Sequence, residues 1–134
     1  MNFHATLDSR FSVPRHGRIN YIRQIQKALR DENFQVFVAV DGRQVIGYVM
    51  GYIGQNPPIF AKPRFGFIAD LCVTHAQRRR GVGERLVQEI CRWFRLRGLD
   101  SVQMNVAHHN PQSQSFWRKL GSTDYLDHMW IDLE

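Results

Sequence analysis

Cysteine is scarce in this sequence of 134 residues: Cys72 and Cys91 are the whole supply. Two are too few for the disulfide framework of a small secreted domain, and no zinc-finger spacing is present. Both read as reduced, buried structural thiols of a cytoplasmic protein, and no metal site is read. No apolar run approaches the ~18 residues of a membrane-crossing helix, and the N-terminus lacks a signal-peptide layout. No membrane partner is therefore expected. Repeats, low-complexity tracts and internal linkers are also missing. Neither G-x-x-x-x-G-K-[ST] nor a third glycine completing G-x-G-x-x-G occurs, which excludes two common phosphate motifs. What remains is one domain over residues 1–134, large enough for a hydrophobic core.

Acidic residues are the minority. Eighteen Lys and Arg against 12 Asp and Glu give a net charge of +6 and a pI near 9.9, which favours acidic partners. Half of the basic residues fall between Lys62 and Arg97. A cofactor carrying a pyrophosphate and a ribose phosphate would use such a cluster. Nucleic acid is the minor alternative, since no RNP signature or helix-turn-helix pattern accompanies the charge.

The cluster surrounds the most informative stretch, Phe65 to Arg97. Phe65–Thr74 is rich in aromatic and β-branched residues and reads as a strand buried on both faces. Arg78-Arg79-Arg80-Gly81-Val82-Gly83 follows. A helix then places Val82, Leu86, Ile90, Trp93 and Phe94 on one face and Arg85, Gln88, Arg92 and Arg95 on the other, ending at Gly98. Glycines let the backbone approach a ligand, the helix start adds its positive dipole end, and arginines add charge. Together these are the features of an anion site, and a pyrophosphate would engage all of them.

Elsewhere the chain reads as a helix over Arg18–Arg30, a strand over Gln35–Val40, an Asp41-Gly42 hairpin signal and a return strand over Val45–Ile53. After the central helix, Ser101–Ala107 alternates as a strand. Asn110-Pro111 then marks a helix start, with Asn at N-cap and Pro at N1. That helix stops at Gly121, and two short strands are expected around Thr123–Tyr125 and His128–Leu133. A strand–helix–strand unit requires a parallel pair, so the sheet is mixed.

The segment Arg78-x-x-Gly81-x-Gly83, placed between strand and helix, resembles the acetyl-CoA pyrophosphate loop [QR]-x-x-G-x-[GA] of the GNAT superfamily of N-acetyltransferases. A second block in register, Asn110 to Gly121, is similar to that family's N-x-x-[AS]-x-x-F-Y-x-K-x-G. The similarity covers about residues 34–133. The resemblance implies an α+β fold of the α/β/α sandwich type, with a central parallel strand pair splayed around the cofactor. It implies transfer of an acetyl group from acetyl-CoA, as co-substrate, to a primary amine of a small molecule or peptide. By the same resemblance, backbone groups of Leu71, Cys72 and Val73 pair with the pantetheine arm. Arg78, Arg79, Arg80, Gly81, Val82, Gly83 and Glu84 form the pyrophosphate loop, and Asn110, Ser113 and Trp117 contact the cofactor.

The catalytic groups are less defined. An amine must lose a proton before attack, the oxyanion needs a donor such as an N–H near Leu71 or Cys72, and the departing thiolate needs a proton. Where the family has tyrosine this chain has Trp117, whose indole is no acid. Its fourth strand reads Ala69-Asp70 where diamine acetyltransferases have an E-D pair. Asp70 is read either as the base or as a hydrogen-bonded structural carboxylate, with His108 and His109 as alternative bases and Tyr125 as the nearest remaining phenol. A GNAT-fold module that binds acyl-CoA with little turnover is the alternative function. The family's first strand is not evident in Met1–Leu7. That omission leaves a sheet edge that a second copy would cover, so a homodimer is expected, the alternative being that Met1–Leu7 folds back and caps the edge within one chain.

Overall fold

The computed structural model describes residues 23, 26, 27, 29–59, 61, 63–77 and 81–133. The helix read over Arg18–Arg30 lies largely outside these residues, and Met1–Leu7 and Arg78–Arg80 lie wholly outside them. The described chain forms strand β1 (Phe34–Asp41), β2 (Gln44–Gln55), β3 (Arg64–Val73), a 3-10 turn (His75–Gln77), helix α1 (Val82–Leu96), β4 (Val102–Met104) and helix α2 (Pro111–Lys119). The sheet order is β1-β2-β3-β4. The first three strands are antiparallel and β3–β4 is parallel, so the sheet is mixed as the sequence implies. Among the described residues no helix is long and apolar enough to cross a membrane.

The hairpin turns one residue later than its Asp-Gly signal suggests. Asp41 pairs with Gln44, leaving Gly42-Arg43 as the two-residue loop, and Gly42 takes φ 62°. A positive φ at the first loop position is what a primed hairpin turn requires.

Helix α1 packs across one face of the sheet. Leu86, Val87, Ile90 and Phe94 are buried on it, while Arg85, Gln88, Arg92 and Arg95 are exposed. Glycines on the strands make room: a Cβ on Gly66 would fall 2.6 Å from the Phe94 ring, and one on Gly51 2.6 Å from Ile90. Val49, Ile68, Leu99 and Trp117 complete the buried cluster. Full burial of a residue such as Phe94 is worth about 1.5–3 kcal/mol, so this helix–sheet contact is the main apolar stabilisation seen. The helix ends as expected at Gly98, with φ 84°; Gly98 N–H donates to Arg95 O and Leu99 N–H to Phe94 O. That is a Schellman ending, with Leu99 and Phe94 supplying its apolar contact.

Two expectations for the second half require correction. The strand read over Ser101–Ala107 pairs only at Val102, Gln103 and Met104, because the chain beyond leaves β3. The two final strands around Thr123–Tyr125 and His128–Leu133 are not formed; residues 123–133 carry no ladder. Alternation there is real but has no sheet partner, and Leu126, Met129, Ile131 and Leu133 are exposed.

Candidate active site

The parallel ladder between β3 and β4 lasts three pairs, Gly66↔Val102, Phe67↔Gln103 and Ile68↔Met104. Strand β3 continues to Val73 while the chain after Met104 diverges. The gap is a cleft of about 660 Å³. One wall is Ile68 to Val73, the head is Gly81, Gly83 and Glu84, and the other wall is Met104, Asn105 and α2 residues that include Ser113, Phe116 and Trp117. Leu71, Cys72 and Val73 are only half-buried although the segment is apolar. The sequence predicts burial on both faces, and the splay is what opens one side of this strand.

A bulge marks the point of divergence. Met50 pairs with Asp70 and Gly51 with Ile68, so Ala69 is the extra residue. The bulge shifts the alternation of β3. Gly66 and Ile68 face α1 before it, and Leu71 and Val73 pack toward α1 after it. Asp70 consequently takes the opposite face, where its Oδ2 accepts a 2.8 Å hydrogen bond from the Tyr48 hydroxyl. Asp70 also lines the cleft.

The head of the cleft is the start of α1. Gly81 is the N-cap residue with φ 79° and ψ 6°, and no side chain among the described residues caps the helix. The first intrahelical bond runs from Arg85 N–H to Gly81 O. The N–H groups ahead of Arg85 have no intrahelical acceptor, which is the usual condition of a helix start and suits an anion. A Cβ on Gly83 would lie 3.4 Å from the Phe116 ring, so two elements lining the cleft meet at this glycine.

At the start of α2, Asn110 is 2 % exposed, and its Oδ1 accepts the Ser113 N–H at 3.0 Å. This is the N-cap read from the sequence. Its Nδ2 is buried without a hydrogen-bond partner among the described residues. Leaving a buried donor unsatisfied costs about 1–3 kcal/mol. Asn110 itself does not line the cleft, whereas Pro111, Gln112 and Ser113 beside it do.

The predicted site residues thus separate into groups. Asp70, Leu71, Cys72, Val73, Gly81, Gly83, Glu84, Ser113 and Trp117 come together around one cleft. Val82 is half-buried and packs against the core, and Arg78, Arg79 and Arg80 lie outside the described residues. Tyr125 is not brought in: it is 66 % exposed and absent from the cleft wall. His108 and His109 are exposed, and His108 Nε2 lies 3.8 Å from Asp127 Oδ1. Trp117 is 9 % exposed and meets Phe116 edge-on at 5.0 Å, which fits an aromatic that packs. Of the two thiols, Cys72 lines the cleft. Cys91 sits on α1, where burial pushes its pKa up against the opposing influence of Arg95.

Sequence reasoning missed Tyr48, Asn105, Phe116 and Lys119. Phe116 stands beside Trp117 in the second motif block and was legible in principle. Tyr48 was not, because its relation to Asp70 depends on a bulge and a cross-strand register.

A helix start with a left-handed glycine and no side-chain cap among the described residues, beside a half-exposed apolar strand edge, fits an extended ligand with an anionic end. Comparisons with known proteins agree with this geometry. Residues 3–122 match the acetyltransferase (GNAT) family. A mutant of the BH1408 protein of Bacillus halodurans is 25% identical, with a TM-score of 0.76 over 84% of this chain and 73% of that one. An aminoglycoside 6'-N-acetyltransferase from Acinetobacter haemolyticus shares the fold at 17% identity, with a TM-score of 0.78 over 99% of this chain and 92% of that one. The chloroplastic GCN5-related N-acetyltransferase 6 of Arabidopsis thaliana is 33% identical over 58 residues, 43% of this chain and 20% of the relative. The chain thus spans about a fifth of that curated relative's length. Through the family match over most of its length, the chain belongs to the GNAT acetyltransferase family, whose members take acetyl-CoA as acetyl donor.

Proposed function

We propose that this cleft holds acetyl-CoA and that the protein transfers its acetyl group directly to a primary amine. The observation that carries the reading is the splay of β3 from β4 beneath an uncapped helix start. Backbone groups of Leu71, Cys72 and Val73 offer an unzipped strand edge to the pantetheine arm. The loop from Arg78 to Glu84 receives the pyrophosphate, with N–H groups at Gly81, Val82 and Gly83 as donors. Ser113 and Trp117 line its path, and Asn110 holds Ser113 there through the Oδ1 cap.

The acceptor must arrive as a free amine, yet an alkylammonium is only about one part in a thousand neutral near pH 7.4. In this reading Asp70, which lines the cleft, takes that proton. The amine nitrogen bonds to the acetyl carbon and releases its second proton to solvent, the carbon–sulfur bond breaks, and an N–H near Leu71 or Cys72 supports the charge on oxygen between these events. The thiolate leaves with the sulfur electron pair and is protonated by solvent, since its pKa is near the ~8.5 of a free thiol. Neither Trp117 nor Tyr125 is needed for this step.

The test is thiol release from acetyl-CoA against a panel of benzylamine, spermidine, a lysine peptide and sisomicin. Sisomicin is included because an acetyltransferase of the same fold, at 23% identity, has been solved in complex with it. Saturable thiol release with one acceptor supports the reading. Tight CoA binding by calorimetry with no release would identify a binding module instead.

A further inference from the structure

We propose that Tyr48 is a positioning residue for this site: its phenol fixes the Asp70 carboxylate where the acceptor amine delivers its proton. The inference rests on the reading of Asp70 as proton acceptor and extends it to a residue outside the cleft wall.

The placement follows from the register. Tyr48 lies opposite Cys72, and Met50 lies opposite Asp70, so Tyr48 and Asp70 are diagonal neighbours. A diagonal pair on one face is about 7–8 Å apart at the backbone, a span that an aromatic side chain can bridge. The phenol oxygen reaches Asp70 Oδ2 at 2.8 Å. Without the extra residue Ala69, strict alternation from Ile68 would turn residue 70 onto the α1 face, among Ile90 and Phe94. The bulge and the tyrosine therefore act together: one turns the carboxylate out of the core, and the other holds it.

Both groups are part-buried. A hydrogen bond to a carboxylate in such a place is stronger than one between neutral partners, and it fixes orientation as well as energy. The 2.8 Å bond narrows the orientations in which the carboxylate meets the amine. Positioning of this kind lowers the barrier and leaves donor binding alone. Tyr48 does not line the cleft, so its effect passes through Asp70.

The test uses Tyr48→Phe, Asp70→Asn and the double variant, with acetyl-CoA and the fastest acceptor of the amine panel. Tyr48→Phe is expected to lower kcat about tenfold, the scale of one hydrogen bond to a charged group. The KM for acetyl-CoA should stay within about twofold, because no donor contact is removed. In the Asp70→Asn background the same change should have no further effect, since the two residues act as one unit. A merely structural tyrosine would lower Tm and leave this split unmoved. Unchanged kcat in Tyr48→Phe, or equal losses in both backgrounds, would overturn the proposal while Asp70 keeps its role. Full activity in Asp70→Asn, or no thiol release with any acceptor, would overturn the parent reading and this one with it.

Discussion

Gly81 and Gly83 stand two residues apart, yet the backbone asks different things of each. Gly81 has φ 79° with nothing within 4 Å of a built Cβ, so its constraint is conformational. An L-residue there carries a strain of roughly 1–2 kcal/mol, and a β-branched one more. Gly83 is helical, and an added Cβ would touch the Phe116 ring at ordinary contact distance. Gly83 is half-buried, and alanine inside a helix gains roughly 0.5–1 kcal/mol over glycine. Gly83→Ala should therefore hold or raise Tm while weakening CoA binding, because the methyl projects where a ligand backbone approach is needed. Gly81→Val should lower both. Thermal melts beside calorimetric titration with CoA separate the two, and unchanged affinity in Gly83→Ala would remove this turn from the cofactor site.

At the scale of elements, the helix α2 start carries two demands on one side chain. Asn110 caps the helix through Oδ1 and buries an Nδ2 that has no partner among the described residues. Asn110→Ala should cost about 0.5–2 kcal/mol through loss of the cap. Asn110→Ser keeps a capping oxygen, so Tm and CoA affinity should both recover toward wild type. Affinity that stays reduced while Tm recovers would give the amide a role at the cofactor. Asn110, Pro111 and the two glycine stops Gly98 and Gly121 were legible in the sequence because caps act over one turn of chain. The Asp41-Gly42 hairpin and the Gly81 helix start were legible for the same reason. The last strands were misread: alternation in residues 123–133 states a preference, but a strand exists only where a neighbour pairs with it. Ala69 and Tyr48 were beyond local reasoning altogether, since a bulge is defined by its partner strand and the hydrogen bond spans 22 positions.

For the molecule as a whole, the open question is what covers its sheet edge. Among the described residues β1 is a terminal strand, paired only to β2. Val38 and Val40 on it are each 55% exposed. A long apolar edge with unpaired N–H and C=O groups is a template for another strand, and soluble proteins cover or charge such edges. A second copy related by a two-fold axis would bring β1 against its own counterpart in antiparallel register. That contact uses one patch on both partners and stops growth at two. We therefore expect a homodimer, with light scattering at micromolar concentration giving twice the 15.7 kDa chain mass. Lysine is a usual guard of edge strands, so Val38→Lys should shift the mass toward the monomer while CoA binding persists. The cleft lies on the far side of β3 from this edge, which is why the two properties should separate. A clean monomer for the unaltered chain would reject the dimer, and loss of CoA binding on dissociation would show that the edge and the cleft are coupled after all.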